Sequence, residues 1–551
     1  MKPDLSGLDP LDINLATRVC VGDALSRSAT MFAQRTAVVD RGTTVSYAQL
    51  DATAEALAAA LVRLGCERQT PVTMLMGNSW HFLASYFACA KADLVAMPVN
   101  VQLTPSDIEW IINDAQSRTI IVDEAFVTLL ERMLPALAPL DNVIVVGTAV
   151  LASDTVRTVA SWAELTADSG PQRVEVLIED RDTLQCLYTS GTTSRPKGVL
   201  VSHLSVQIAA MTNASLMEYR WGAQPSVLLN VLPLFHTTAL NTLCLPVLLT
   251  GGTVVLPGPF EPRHVLDQVE RYGVTHMMLL PVMWNALVNE LEGSTFDVRS
   301  VKRAVYAMAP MGRDLLNRVD DAFTNAVVVL GSGQTEVVPA TVIQWPEHRD
   351  SAPESWGPSV PTVLTRCMGA DGEVVGTDET AEIVYRGPHV CSGYWNNRAA
   401  NTAAFAHGWF HSGDIGRVDA NQVVWFTDRL KDIIKSGGEN VSSVDVERVV
   451  NATPGVRESS IVGVPDERWG EAVCAVVVPD GSVDERALPE LVIAYARQHL
   501  AGFQVPKRVV ILAELPKTAT GKARKNELRA QLNDALTASS RQPARGDTLS
   551  P

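Results

Sequence analysis

The chain has 551 residues, with 45 Lys and Arg against 61 Asp and Glu, and its net charge of −16 excludes binding of nucleic acid or another polyanion by bulk charge. One core cannot grow to this length, so two or more domains are expected, and 46% hydrophobic against 19% charged residues excludes a disordered chain. The eight cysteines stand singly with no CxxC pair, so neither a disulfide framework nor a zinc site is expected.

The first residues, MKPDLSGLDPLDINLA, carry neither a basic region nor an apolar run, and no uncharged apolar stretch of about 18 residues occurs anywhere; the protein reads as soluble and cytoplasmic, without a transmembrane segment. From residue 45 an amphipathic helix alternates with short apolar runs. Leu50, Ala54, Leu57, Ala58 and Leu61 share a helix face, VTMLM at 72–76 reads as a strand, and 81–92 as a helix. A helix starting at Pro105 and running over 106–116, strands at 118–122 and 142–146, and the later runs SVLLNVLP and HMMLLP continue the pattern. Such continuous apolar strands suggest parallel sheets covered on both faces. The expected fold is α/β: a large multi-subdomain N-terminal body over 1–428 with mixed or parallel sheets covered by helices, then a small mobile α+β domain over 432–535. Residues 536–551, small and polar, are expected to form a disordered tail.

The segment Leu187–His203, LYTSGTTSRPKGVLVSH, carries the most chemistry. A strand runs into Thr189, Ser190, Gly191, Thr192, Thr193 and Ser194, then Arg195, Pro196 and Lys197. Closely spaced backbone N–H groups, hydroxyls and one cation suit a polyphosphate, whereas a mobile Ser/Thr turn would need none of them. A Walker A loop is excluded, because Gly198 rather than Ser or Thr follows Lys197. No G-x-S-x-G elbow, dinucleotide GxGxxG or HExxH motif is present.

This loop resembles the phosphate loop of the adenylate-forming superfamily, which includes acyl-CoA synthetases, nonribosomal adenylation domains and luciferases. Further segments match in order: VLPLFHTTALNTL at 231–243, GSGQTE at 331–336, WFHSGDIGRVD at 409–419, DRLKDIIKSGGENVSSVDVE at 428–447 and PKTATGKARKNELR at 516–529. The likeness spans about residues 25–532 and is nearest to stand-alone acyl-CoA ligases. It implies a carboxylic acid–CoA ligase that uses ATP, Mg²⁺ and coenzyme A. The acid would first become an acyl-adenylate with release of pyrophosphate, and a thiol would then displace AMP.

The resemblance also implies site roles. Thr189, Ser190, Gly191, Thr192, Thr193 and Lys197 would hold the phosphates; Gly333, Gln334 and Thr335 would lie along the nucleotide; and Glu336 would bind Mg²⁺ through a hard carboxylate oxygen. Asp414 would take the ribose hydroxyls, Arg429 would brace ribose or phosphate, and Lys522 would contact the carboxylate and α-phosphate. His236, Thr237, Met308, Ala309 and Gly331 would wall the acyl pocket. Lys431 would be the hinge about which the small domain rotates, bringing Lys435, Gly437 and Gly438 to coenzyme A. Three departures from the family pattern stand out: Ser332 replaces a usual tyrosine beside the adenine, Ser194 a usual glycine, and Ala307 and Met308 part of a Gly-rich stretch. These departures imply weakened ATP binding. Other readings are an enzyme that takes an acyl-adenylate made elsewhere, a loader of a carrier protein, a luciferase-like oxidase, and a nucleotide or acyl-CoA sensor. A homodimer is a further expectation.

Overall fold

The structure, a computed structural model, describes residues 3–167, 173–189, 195–307, 311–466, 468–517 and 523–540, the last segment with side chains to 533. Two eight-stranded sheets form most of the body. In the first, strands Thr36–Asp40, Thr253–Leu256, Val227–Leu229, His276–Leu279, Arg303–Ala307 and Val327–Gly333 run parallel, and Thr43–Ser46 and Ala340–Gln344 close the two edges antiparallel. The second has a parallel set that includes Pro71–Leu75, Val95–Pro98 and Thr183–Thr189, extended antiparallel by Lys197–Ser202 and Gly393–Tyr394.

The helices form where the sequence places caps. Ser46 accepts from the N–H of Gln49 at the start of Tyr47–Arg63, and Gln49 returns the bond to the N–H of Ser46. That helix buries Leu50, Ala54, Leu57, Ala58 and Leu61, the face its spacing predicts, in the same core as Phe82 and Tyr86 of Trp80–Lys91.

Part of the body departs from the parallel pattern. Gly357–Pro358, Leu364–Met368, Ala381–Arg386, Phe410–Val418 and Val423–Arg429 make a wholly antiparallel five-stranded sheet. The run SVLLNVLP is strand only over Val227–Leu229, and a turn comes next.

Beyond residue 430 a separate sheet is built on the hairpin Val456–Asp466 and Gly470–Pro479. Its side chains alternate between two apolar clusters. Val473, Ala475 and Val477 meet Val446 and Val450 of helix Ser443–Asn451 and Leu488 and Val492 of helix Leu488–His499; Cys474, Val476 and Val478 meet Leu528 of Lys525–Ser540. Both faces of this hairpin are therefore covered. Leu528 and Leu532 of the last helix, Lys525–Ser540, pack against the sheet. Among the described residues no helix is long and apolar enough to cross a membrane.

Candidate active site

In open α/β sheets ligands sit beyond the carboxyl ends of parallel strands. In the first sheet those ends include Leu229, Leu279, Ala307 and Gly333, and the segments that leave them carry several of the residues singled out in the sequence. After Val327–Gly333 the chain makes a tight return. Gln334 N–H donates to Pro339 O at 3.0 Å, and a Cβ on Gly333 would lie 1.5 Å from that same oxygen, so only glycine fits. Within the return Val338, buried and β-branched, is held at φ 52°, a strained conformation that the surrounding contacts must impose. The turn Thr335–Val337 presents Glu336.

Glu336 is held from a strand far away in sequence. Tyr394 Oη donates to Glu336 Oε1 at 3.0 Å, and Cys391 N–H donates to the Glu336 carbonyl at 2.7 Å. The ring of the tyrosine is occupied too, since Lys197 Nζ lies 5.0 Å from its centroid. Asn401 fixes Tyr394 twice through its backbone, accepting from its N–H at 2.7 Å and donating to its carbonyl at 2.9 Å. Burial, then the neighbouring Glu336 charge, pushes the Tyr394 phenol above its ordinary range, so the hydroxyl stays a donor.

Lys197 and Thr189 face each other at the end of the hairpin that brackets residues 190–194. Ser190, Gly191, Thr192 and Thr193 lie outside the described residues, as do Met308, Ala309 and Lys522. The hairpin is tied to helix Pro105–Asp114: Tyr188 Oη donates to Asp114 Oδ2 at 2.7 Å, and the Arg195 guanidinium lies over the Trp110 ring at 5.4 Å.

Half-buried His236 packs on Phe235 with ring centroids 4.7 Å apart. Thr237 turns its hydroxyl away into the core, donating to Asn241 Oδ1 at 2.8 Å, and Asn241 exchanges amide hydrogen bonds with Gln185. Asn241 belongs to a π-helix, Thr238–Cys244. Gly331 pairs with Ala307, and a Cβ there would reach only ordinary contact with Met278 and Val305 at 3.7 Å.

On the antiparallel sheet Asp414 and Arg429 are cross-strand partners. Arg429 Nε approaches Asp414 Oδ1 at 2.7 Å, with the carboxylate side chain 4% and the guanidinium side chain 40% exposed. Next in the chain, polar contacts straddle Lys431. Asp428 accepts from Ser443 N–H at 2.5 Å and Ser443 Oγ at 2.7 Å, Arg529 pairs with Asp432 at 2.8 Å, and Arg448 pairs with Glu354. Lys431 itself is exposed, with its ammonium held below the usual lysine range by desolvation; Arg429 and Arg529 add to that shift, and Asp432 opposes it.

Lys435, Gly437 and Gly438 lie on a hairpin of the small sheet. Gly437 has φ 63° and N–H donating to Trp469 O at 2.8 Å, and a Cβ there would press on the Trp469 ring at 2.8 Å. Gly438, at φ 90°, faces open space. Among the described residues no hydrogen bond or ion pair links this hairpin to Lys197 or Glu336.

The structure thus groups Lys197 with Glu336 and Asp414 with Arg429. Tyr394, Asn401 and Asp428 went unnoticed in the sequence. The signal for Tyr394 was an aromatic residue after Ser392 and Gly393, which reads as an ordinary turn.

A family model described as AMP-binding enzyme matches residues 25–395, and one described as AMP-binding enzyme C-terminal domain matches 445–522. The chain is 34% identical over 506 residues to a feruloyl-CoA synthase of Amycolatopsis, covering 91% of this chain and 97% of that protein. It is 32% identical to an indoleacetate–CoA ligase of Aromatoleum aromaticum, over 88% of this chain and 92% of that one. Among solved structures, ATP-bound MatB from Rhodopseudomonas palustris superposes with a TM-score of 0.81 at 26% identity, over 93% of this chain and 99% of that chain.

Proposed function

The chain belongs to the AMP-binding enzyme family and makes acyl-CoA by way of an acyl-adenylate; on that premise we propose that its acid has an apolar body and that Lys197, Glu336, Asp414 and Arg429 are the described part of the machinery. The observation that carries this reading is the junction of Lys197 and Glu336 on one tyrosine ring, a cation and a hard anion held side by side at the carboxyl end of a parallel sheet. The acid's carboxylate attacks the α-phosphorus of ATP, forming a mixed anhydride as the bond to pyrophosphate breaks. The thiol then attacks the acyl carbon, and AMP leaves with the bonding electrons.

Catalysis of this kind is mostly positioning and charge neutralisation. Lys197, with the phosphate loop and Thr189, meets the departing phosphates, and Lys522 meets the α-phosphate and the carboxylate. Gly333, Gln334 and Thr335 run along the nucleotide, Asp414 accepts from the ribose hydroxyls, and Arg429 holds Asp414 in place while offering its remaining donors. The acyl group lies among His236, Met308, Ala309 and Gly331, and apolar Met278 and Val305 beside Gly331 are the reason for an apolar acid. Thr237 supports that wall from behind.

Glu336 fits a magnesium ion that keeps most of its ligands from water and phosphate. Its Oε1 takes the Tyr394 hydrogen bond and leaves Oε2 available, and no cluster of three His, Cys, Asp or Glu exists among the described residues to enclose a metal with protein ligands alone. The ion would supply charge neutralisation for the triphosphate.

We place the boundary at 428–432, with the small domain over 432–535 turning about Lys431 between half-reactions. The contacts of Asp428, Asp432 and Glu354 would then exchange for others as Lys435, Gly437 and Gly438 approach the thiol arm. Incubation with ATP, coenzyme A and a panel of aryl and alkyl acids, recording AMP and thioester mass together, tests the proposal. AMP without thioester until a carrier protein is supplied would reassign the thiol. Thioester from supplied acyl-adenylate alone would assign the protein to the second half-reaction, a reading that Ser332 favours.

A further inference from the structure

We propose that Tyr394 is a positioning residue that keeps Lys197 and Glu336 from pairing with each other, so that the lysine remains available to the triphosphate and the carboxylate to the metal that accompanies it. The inference rests on the proposed function and deepens it.

Opposite charges that flank one side chain in a partly buried site attract each other and can close into an ion pair unless something holds them apart. Here something does. Lys197 Nζ lies over the ring at 5.0 Å, inside the range of about 6 Å for a cation–π contact, and Glu336 Oε1 accepts a hydrogen bond from the hydroxyl at 3.0 Å. Among the described residues neither Lys197 nor Glu336 enters an ion pair, although Arg and Lys side chains elsewhere in the molecule find carboxylates readily. The ring satisfies each charge weakly and by a different means: the ammonium by the negative π face, the carboxylate by a neutral donor. Neither contact costs the site a formal charge.

The spacer is built to stay put. Its backbone is clamped in both directions by Asn401, and its strand pairs with the one that begins at Lys197, through Tyr394 opposite Val199. Gly393 leaves room for that clamp, because a Cβ there, at φ 140°, would lie 2.9 Å from Asn401 Oδ1. The same segment anchors the Glu336 turn through Cys391 N–H. One short strand therefore sets the height of both charges.

The test uses the full chain, with Mn²⁺ in place of Mg²⁺ as a spectroscopic probe. Tyr394→Phe keeps the ring and removes the hydroxyl. It should weaken Mn²⁺ binding to the ATP complex, read by electron paramagnetic resonance, about tenfold, as expected for a lost hydrogen bond to a charged group. Tyr394→Leu removes the spacer. It should raise the KM for metal–ATP by more than the Phe change does, with a smaller effect on kcat, and a crystal structure of the variant should show Lys197 Nζ within ion-pair distance of Glu336. Turnover of supplied acyl-adenylate should fall far less than adenylation. Wild-type Mn²⁺ affinity in the Phe variant together with wild-type KM in the Leu variant would overturn the proposal, as would equal losses in both half-reactions. If the wild type forms no adenylate with any acid, the proposed function fails, whereas Mn²⁺–ATP binding by the variants still decides the role of the ring.

Discussion

At Asp414 a carboxylate and a guanidinium touch at 2.7 Å, while at Glu336 and Lys197 a carboxylate and an ammonium share one tyrosine and stay apart. The first arrangement joins two neighbouring strands of an antiparallel sheet and uses the attraction to fix a buried acid. The second brings together a hairpin end and a tight return from different sheets and withholds the attraction. In the first centre the pair fixes the carboxylate and leaves only part of each group for a ligand; in the second both charges stay open to one.

The largest effect should come from emptying the second centre. Glu336→Ala or Lys197→Met should lower acid-dependent pyrophosphate–ATP exchange by about 10²- to 10³-fold, about 2.7–4 kcal/mol of transition-state stabilisation, while the melting temperature stays at the wild-type value. A large drop in melting temperature would mean that these charges serve the fold after all. At the first centre the expectation reverses. Arg429→Ala leaves Asp414 buried without its guanidinium and should cost roughly 1–3 kcal/mol in urea unfolding, below the cost for a fully buried pair because Arg429 is 40% exposed. Adding Asp414→Asn should return part of that loss, since a neutral amide tolerates burial better.

Ser332→Tyr probes the strand that leads to Glu336 without altering either pair. A stacked ring is worth about 1–3 kcal/mol on a nucleobase, so ATP should bind roughly 5- to 150-fold more tightly, by calorimetry, with supplied adenylate turned over as before. No gain would favour the reading in which the protein works mainly on ready-made adenylate. The smallest effect is the sharpest discriminator. In a double-mutant cycle on the ligand-free protein, Lys197 and Glu336 should couple by less than about 0.5 kcal/mol, and Asp414 and Arg429 by clearly more. Equal couplings would erase the distinction between the centres.

The sequence carries the ordered motifs, and with them Lys197, Glu336, Asp414 and Arg429, because small and charged residues at fixed spacing are visible in one dimension. It hides the groups that arrive from elsewhere. Tyr394 is 58 residues from Glu336, and tertiary contacts alone bring them together: its strand pairs with Lys197–Ser202, and Cys391 N–H just before it donates to the Glu336 carbonyl. The antiparallel sheet was masked by its own function. Along Phe410–Val418 the positions buried in alternation include Ser412, Asp414 and Gly416, so the period of two is present in the burial and absent from the hydrophobicity. The helical faces and the small α+β unit were legible for the opposite reason, since their buried positions are Val, Leu and Ala.

The π-helix Thr238–Cys244 has a consequence for how this enzyme could change its diet. Its wide turn, closed by Leu245 N–H donating to Leu240 O, holds one residue more than an α-helical turn would. Deleting a single residue there would let the segment relax to ordinary pitch and rotate its N-terminal flank by about 100° relative to its C-terminal one. His236 would then leave its position and a neighbour would take it, with the nucleotide machinery on other strands untouched. Where His236 forms the proposed acyl wall, a single codon loss would thus exchange that wall, a larger change than a point substitution of His236 makes.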